Sequence, residues 1–329
     1  MRAVWYERNG EAADVLEVGE QPVPEPGPGE VRVRLMTSGI NPVDIKRRRG
    51  ARGPMSEPLV IPHFDGAGVV DAVGEGVPPS RIGERVWVYE GQWERPFGTA
   101  AELVALPAER AVRLPEGTGF AEAACLGIPA LTAHRCVFAD GPVRGQTVLV
   151  TGGAGAVGAY AIQFAKLGGA RVLTTVSNDA KAEIAADAGA DYVFNYKAEN
   201  VPQRVADLPG GGGVDRIVEV EFGGNLPNSL KMLKPNGVIA AYASDADPEP
   251  KIPFYALAYK SVAVRFVLVF AMPEAAKLQA VQDITGWLEA GELRHYFASR
   301  LPLEEVVEAH QAMERGVIGN VVLEIAPGG

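Results

Sequence analysis

The segment TVLVTGGAGAVG at 147–158 narrows most sharply what this chain of 329 residues can fold into. Thr147 to Val150 are β-branched or aliphatic and read as a short buried strand. Glycines then break the run, and AVGAYAIQFAKLGG at 156–169 places apolar residues at helical spacing. A strand that passes through a glycine turn into a helix opens a βαβ unit. In G-A-G-A-V-G at 153–158, Gly153 permits the tight turn, Ala154 continues it, and Gly155 lets the backbone approach a pyrophosphate with no Cβ in the way. Gly158 allows close packing of helix on strand. The amides of Ala156 and Val157 open the helix, whose N-terminal dipole favours an anion. Three glycines in six residues arise easily in a chain with 39 of them, so the βαβ context is what makes this a dinucleotide site.

That alternation continues. ARVLTTVS at 170–177, DYVFNY at 191–196, VDRIVEVEF at 214–222 and GVIAAYA at 237–243 read as strands, and DAKAEIAADAGA at 179–190 as a helix closed by glycine. GGGG at 210–213 reads as a flexible loop. Strand and helix alternating through short connections imply a parallel sheet covered on both faces. Residues 1–122 differ: VRVRLMTSG at 31–39 and ERVWVYE at 84–90 alternate, GAGVVDAVG at 66–74 is apolar, and turn-rich PVPEPGPGE separates such runs. From 264 to 329 come two amphipathic segments and a last strand, GNVVLEIA, placed to rejoin the first zone's sheet. The expected organisation is therefore one domain of 1–122 with 264–329, and a second, 123–263, inserted into it.

Composition removes several function classes. Acidic residues outnumber basic ones 41 to 31, a net charge of −10, which disfavours nucleic acid and anionic membranes as partners. The basic run KRRRGAR at 46–52 is most simply a solvated loop. Two cysteines, Cys125 and Cys136, are too few for a disulfide framework or a structural zinc cluster, and no two of the four histidines have the spacing of a metal pair. The N-terminus lacks the order of a signal peptide and no apolar run approaches ~20 residues, so a soluble cytoplasmic protein is expected.

The end of the second strand bears on which dinucleotide is bound. An acidic residue there accepts hydrogen bonds from the adenosine ribose in NAD-specific folds. This chain has TTVSN, with Ser177 at the tip, Lys181 in the next helical turn and Tyr196 after the third strand. A site without the carboxylate tolerates a 2′-phosphate, which Lys181 and the Tyr196 hydroxyl can meet, although Asp179 lies close by. NADP(H) is favoured over NAD(H).

SGINPVDIKRRRG at 38–50, IPHFDGAGVVDAVGEGV at 61–77, IGERV at 82–86, GIPALTAH at 127–134, the glycine turn and GNVVLEI at 319–325 occur in that order. Together they resemble the zinc-independent quinone oxidoreductase (zeta-crystallin-like) family of the medium-chain dehydrogenase/reductase superfamily. The resemblance implies an α/β protein: a Rossmann doubly wound parallel-sheet domain inserted in a β-rich, GroES-like catalytic domain. Compared with the zinc-dependent alcohol dehydrogenases of the superfamily, Asn41 stands at the first ligand cysteine, Phe64 at the ligand histidine with His63 displaced by one, and Ile128 at the last ligand cysteine. The structural-zinc lobe is missing, so no zinc is expected.

Without a Lewis acid the plausible acceptor is already electrophilic: a quinone or similar carbonyl, needing a hydride donor at close range and a hydrogen bond to the oxygen that gains charge. Asn41 is the candidate to give that bond or to position the nicotinamide, and Asp44 to support its loop. The resemblance further places Thr132 and Phe270 beside the nicotinamide, Val220 to Phe222 near its ribose, Ser244 on the following turn, and Asn320 near the diphosphate. Glu219 and Glu221 depart from the commoner pattern of the branch and are not named as acids. Two alternatives stay open: a reductase of enal, enone or enoyl-thioester double bonds, with Tyr6 or Tyr89 as proton donor, and a non-enzymatic NADPH-binding protein with a structural or RNA-binding role. A homodimer pairing edge strand 262–270 with its twin is expected.

Overall fold

The computed structural model describes residues 1–51, 53–210 and 212–326; Arg52 of the basic run, Gly211 of the glycine loop and the last three residues lie outside them. The chain divides into two compact units, one of Met1–Pro129 with the chain from Val281 onwards, the other Ala130–Ala280.

In the second unit six parallel strands form one sheet. Along the chain they are Thr147–Val150, Arg171–Val176, Tyr192–Asn195, Val214–Glu219, Leu233–Ala241 and Ala263–Phe266. Their order across the sheet is third, second, first, fourth, fifth, sixth, the Rossmann arrangement, which reverses between the first and fourth strands. All four residues of the first strand are buried, as expected where helices cover both faces. The helix Ala156–Leu167 follows the glycine turn and buries Gly158 to Ala165.

The break in the chain lies beyond residue 263 because Ala263–Phe266 pairs with Leu233–Ala241 and so completes this sheet. The edge strand is also shorter than the expected 262–270. The Val267 amide makes a last bond to the Ala241 carbonyl, the partner strand ends there, and Val269–Ala271 winds into a 3₁₀ turn.

The first unit holds a seven-stranded sheet. Phe297–Pro302, Asn320–Glu324, Glu30–Ile40, Asp65–Val73, Arg85–Val88 and Ala111–Arg113 are neighbours in that order, and Leu103–Pro107 also pairs with Glu30–Ile40. The last strand does return to the first zone: Val321 lies opposite Ile40 and Glu324 opposite Thr37, antiparallel.

Two glycines of the turn are held by close contact, Gly158 against backbone and Gly153 against the Thr174 side chain. A Cβ on Gly158 would lie 2.3 Å from the Gly152 carbonyl oxygen, and one on Gly153 would lie 2.0 Å from Thr174 Oγ1. Gly158→Ala must therefore push helix from strand, and a loss of about 1–3 kcal/mol is expected, read from the urea midpoint.

Candidate active site

In the parallel-sheet unit, the turn after the first strand is stitched to the second. Gly152 N–H donates to Thr175 Oγ1 at 3.3 Å and Gly153 N–H to the Thr175 carbonyl at 3.1 Å. Gly155 is the N-cap of the following helix and has no capping side chain. It is exposed, and a Cβ there would meet nothing closer than the Gly152 oxygen at 3.3 Å. Packing thus requires Gly153 and Gly158 but leaves the space over Gly155 open. First-turn amides, those of Ala156 and Val157 among them, have no intrahelical acceptor. A smooth, open approach to donors at a helix N-terminus fits a diphosphate.

At the end of the second strand Ser177 is half-buried and no carboxylate caps it. Tyr196 is brought beside it, its amide donating to the Val176 carbonyl at 3.0 Å, and its ring is 54% exposed. Asn178 Oδ1 accepts from the Lys181 amide at 3.0 Å and caps the helix Asp179–Asp187. Capping fixes the start of that helix, so the Lys181 ammonium rises from its first turn. At the other end of the order reversal, Gly223 N–H donates to Ser244 Oγ at 2.9 Å. Phe222 and Ser244 both line a cavity of about 700 Å³ with Pro250, Leu268 and Met272. Thr132 is buried within the helix Gly127–Phe138, and Phe270 is half-buried in the 3₁₀ turn.

Asn41, Asp44 and Asn320 belong to the other unit. Pro42 sits at the first position of the helix Pro42–Arg48, where a missing N–H costs nothing, and Asn41 is its N-cap. The Asn41 amide N–H donates to Asp44 Oδ2 at 2.7 Å, which ties the Asp44 carboxyl to the start of the helix. The Asn41 side chain donates through Nδ2 to Asp65 Oδ2 at 2.8 Å, and the Ile128 amide donates to the same oxygen at 2.8 Å. Asn320 starts the last strand and donates Nδ2 to the Tyr296 carbonyl at 3.0 Å. Of the two tyrosines considered as donors, Tyr89 points its hydroxyl at the Glu109 carbonyl, 3.4 Å away. Tyr6 is buried, and desolvation holds its hydroxyl up at about 12 despite the Arg47 charge.

The residue that sequence reasoning passed over is Asp65. It is fully buried, and its backbone is held by a hydrogen-bond chain running one way. Thr99 gives its only hydroxyl proton to the Asp65 carbonyl at 2.5 Å, so it accepts from Ser38 at 2.8 Å. Ser38 in turn must accept from His63 Nδ1–H at 2.9 Å, which leaves His63 Nε2 to accept from His310 Nε2–H, also at 2.9 Å. Burial pushes His63 down to about 3 and His310 well below its ordinary value, so both rings are neutral. His63 takes a positive φ of 79° to enter this chain.

The basic run is largely consumed within its own unit. Arg48 is buried against the Gly10 carbonyl and Glu314, Arg49 pairs with Glu11 at 2.7 Å, and Arg47 lies over the Phe64 ring at 5.3 Å.

With this geometry in view, the chain is a two-unit protein with a Rossmann sheet and a GroES-like sheet. Residues 27–116 match the alcohol dehydrogenase GroES-like domain, and residues 156–284 match the zinc-binding dehydrogenase family. A quinone oxidoreductase of Pseudomonas aeruginosa is 32% identical over 94% of this chain and 95% of its own length. A 2-haloacrylate reductase of a Burkholderia species is 30% identical over 98% of each. A solved structure described as an NAD-dependent alcohol dehydrogenase superposes with a TM-score of 0.88 at 33% identity, covering 99% of this chain and 100% of that one. A mycobacterial protein solved with NADPH gives 0.86 at 30%, with the same coverage. The chain belongs to the quinone oxidoreductase (zeta-crystallin-like) family of the medium-chain dehydrogenase/reductase superfamily.

The name zinc-binding dehydrogenase raises the question of a metal, and the side chains do not fit one. Phe64 is fully buried carbon, Ile128 offers only its amide, Asn41 spends its Nδ2 on Asp65, and His63 is committed to Ser38 and His310. Among the described residues no group of three His, Cys, Asp or Glu could hold a metal ion, and no helix is long and apolar enough to cross a membrane.

Burial raises Asp65 to about 7 against the donors Ile128 and Asn41, with the Glu90 charge adding to the rise. Burial likewise lifts Asp44. Folded Asp65 therefore keeps a proton that the unfolded chain releases near pH 4. Its contribution is fully present below that ordinary value and is lost as pH rises through about 7. Both donors reach Oδ2, so an amide can replace the carboxyl. Asp65→Asn is expected to gain roughly 2–4 kcal/mol on the wild type between pH 4 and pH 8, read by urea unfolding of both proteins at each pH.

Proposed function

We propose that this chain is an NADPH-dependent, zinc-independent oxidoreductase that transfers hydride from the nicotinamide to a quinone or similar electrophilic carbonyl. The observation that carries the reading is a dinucleotide turn left open at Gly155 in a chain whose expected zinc positions hold Asn41, Phe64 and Ile128. NADPH supplies the hydride when bound. The residues from Gly153 to Gly158 hold its diphosphate by amides, and Ser177, Lys181 and Tyr196 take the adenosine 2′-phosphate. Thr132, Val220, Phe222, Ser244 and Phe270 line the nicotinamide end. Asn41 positions the nicotinamide or the carbonyl, and water supplies the proton that completes the hydroquinone. The Asn320 amide donates to Tyr296, and its part is to fix the start of the last strand rather than to pair with charge.

The relatives include both an NAD-dependent and an NADPH-bound protein, and Lys181 is the residue that favours the second. Lys181→Ala is expected to weaken NADPH binding about tenfold, the worth of one partly screened charge contact, and to leave NADH binding unchanged. Fluorescence titration with both nucleotides checks this; equal losses for both remove Lys181 from phosphate recognition. Turnover of ortho- and para-quinones that persists after chelator dialysis supports the reaction, and turnover abolished by the chelator defeats it.

The haloacrylate reductase relative favours a second reading, reduction of an activated carbon–carbon double bond. Turnover of enals or acrylates without quinones would establish it, and Tyr6→Phe would then abolish that turnover if Tyr6 is the α-carbon proton donor.

We also infer a homodimer through Ala263–Phe266. It is the outermost strand of its sheet, and Phe266, Leu268, Tyr255 and Tyr259 beside it are exposed. Light scattering at micromolar concentration should give twice 34.8 kDa; a monomer mass removes the inference.

A further inference from the structure

Glu219, at the end of the fourth parallel strand, is fully buried and yet surrounded by donors. Its Oε1 accepts from Thr151 Oγ1, from the Glu221 amide and from Asn225 Nδ2, each at 2.8 Å. Oε2 accepts from Ser229 Oγ at 3.2 Å. Three donors converging on one oxygen and a fourth on the other are what an ionised carboxylate needs in the absence of water.

One of those donors, Thr151, is 68 residues away on another strand, and the other three come from the turn and helix that follow Glu219. Thr151 closes the first strand and immediately precedes Gly152. Its hydroxyl has one proton, which goes to the carboxylate as the stronger acceptor, and it accepts the Val220 amide at 2.9 Å. The hydroxyl therefore joins the end of the first strand to the end of the fourth, across the reversal of strand order. Gly152 shows the consequence. It has a φ of 67°, and a Cβ there would touch Val220 Cγ1 at 3.2 Å. Val220 is thus the wall against which the turn begins. Glu221, two residues after Glu219, accepts from the amides of Asp245 and Ala246 at 2.8 and 2.9 Å and so ties down the loop carrying Ser244.

We propose that Glu219 is a positioning residue for the dinucleotide: through Thr151 and Val220 it sets where the glycine turn starts and hence where its amides point. This rests on reading the turn as an NADPH site. It assigns Glu219 neither proton transfer nor contact with the substrate.

The test compares Glu219→Ala, Glu219→Gln, Thr151→Val and Ser229→Ala by NADPH titration and by amide exchange at Gly152 to Gly155. Glu219→Ala should weaken NADPH binding about tenfold and speed exchange at those amides by a similar factor, while kcat at saturating NADPH stays within about twofold. Glu219→Gln keeps an oxygen for the three donors and should recover most of both losses. Thr151→Val should match Glu219→Ala, and the double variant should be no worse than either, because both break one link. Ser229→Ala, which touches only Oε2, should resemble the wild type. If Glu219→Ala fails to fold, Thr151→Val carries the same comparison. Wild-type affinity and wild-type exchange in Glu219→Ala or Thr151→Val, with only the melting temperature lowered, would overturn the proposal. If the wild type binds no NADPH, the dinucleotide reading fails, and exchange at the turn still decides whether Glu219 sets its geometry.

Discussion

Backbone pressed against backbone governs the parallel-sheet unit. The chain leaves the first strand at Val150 and must enter a helix that lies directly on that strand, and the approach is so close that Gly158 has no room for a methyl beside the Gly152 carbonyl. Such a contact is steric and all-or-none, since carbonyl oxygens cannot turn aside as a flexible side chain would. Once it is made, the helix axis points its first amides outward at the place where the strand order reverses. On the proposed reading the anion site is a by-product of packing, and Gly155, which packing leaves free, is given over to the ligand.

The other unit is organised by a connected set of buried polar groups. Asp65 joins the amide of Ile128 and the side chain of Asn41, while its own carbonyl ends the chain of donors from His310 through His63, Ser38 and Thr99. Each member has one orientation open to it, so the chain keeps its direction only while both histidines are neutral. Desolvation maintains that neutrality. The same desolvation that would make a bare carboxylate costly raises Asp65 into the neutral pH range.

The sequence disclosed those features that have a period or a local turn signal. Strands such as Thr147–Val150 and Arg171–Val176, the helix Ala156–Leu167 and the return of Asn320–Glu324 to the first sheet were all legible from apolar runs bounded by glycine. The membership of Ala263–Phe266 was not, because an edge strand is half exposed and its pattern does not say which sheet it joins. His63 and His310 are 247 residues apart and share no motif. Arg48 sits in a run that looks solvated, yet it is buried, because the helix Pro42–Arg48 turns every third or fourth residue inward and Glu314 meets it there. Glu219 looked like a departure from a family pattern, and its meaning emerged only when Thr151, 68 residues away, met the donors of the turn and helix that follow it.

An acidic protein that takes an anionic cofactor faces an electrostatic problem, and the site's construction answers it locally. The net charge of −10 repels phosphate at long range. Backbone amides and a helix N-terminus act over a few ångströms and carry no mobile charge, so salt barely affects them, whereas a phosphate held by a half-exposed lysine is screened within a Debye length of ~8–10 Å. On the proposed reading, the glycine turn provides the salt-independent grip common to both nicotinamide dinucleotides, and Lys181 adds the salt-sensitive part that tells them apart. Asp179, two residues away in the same helical turn, limits that addition. Discrimination between the cofactors should then rest on one exposed contact, while binding itself rests on the buried frame that Thr151, Glu219 and the glycines hold in place.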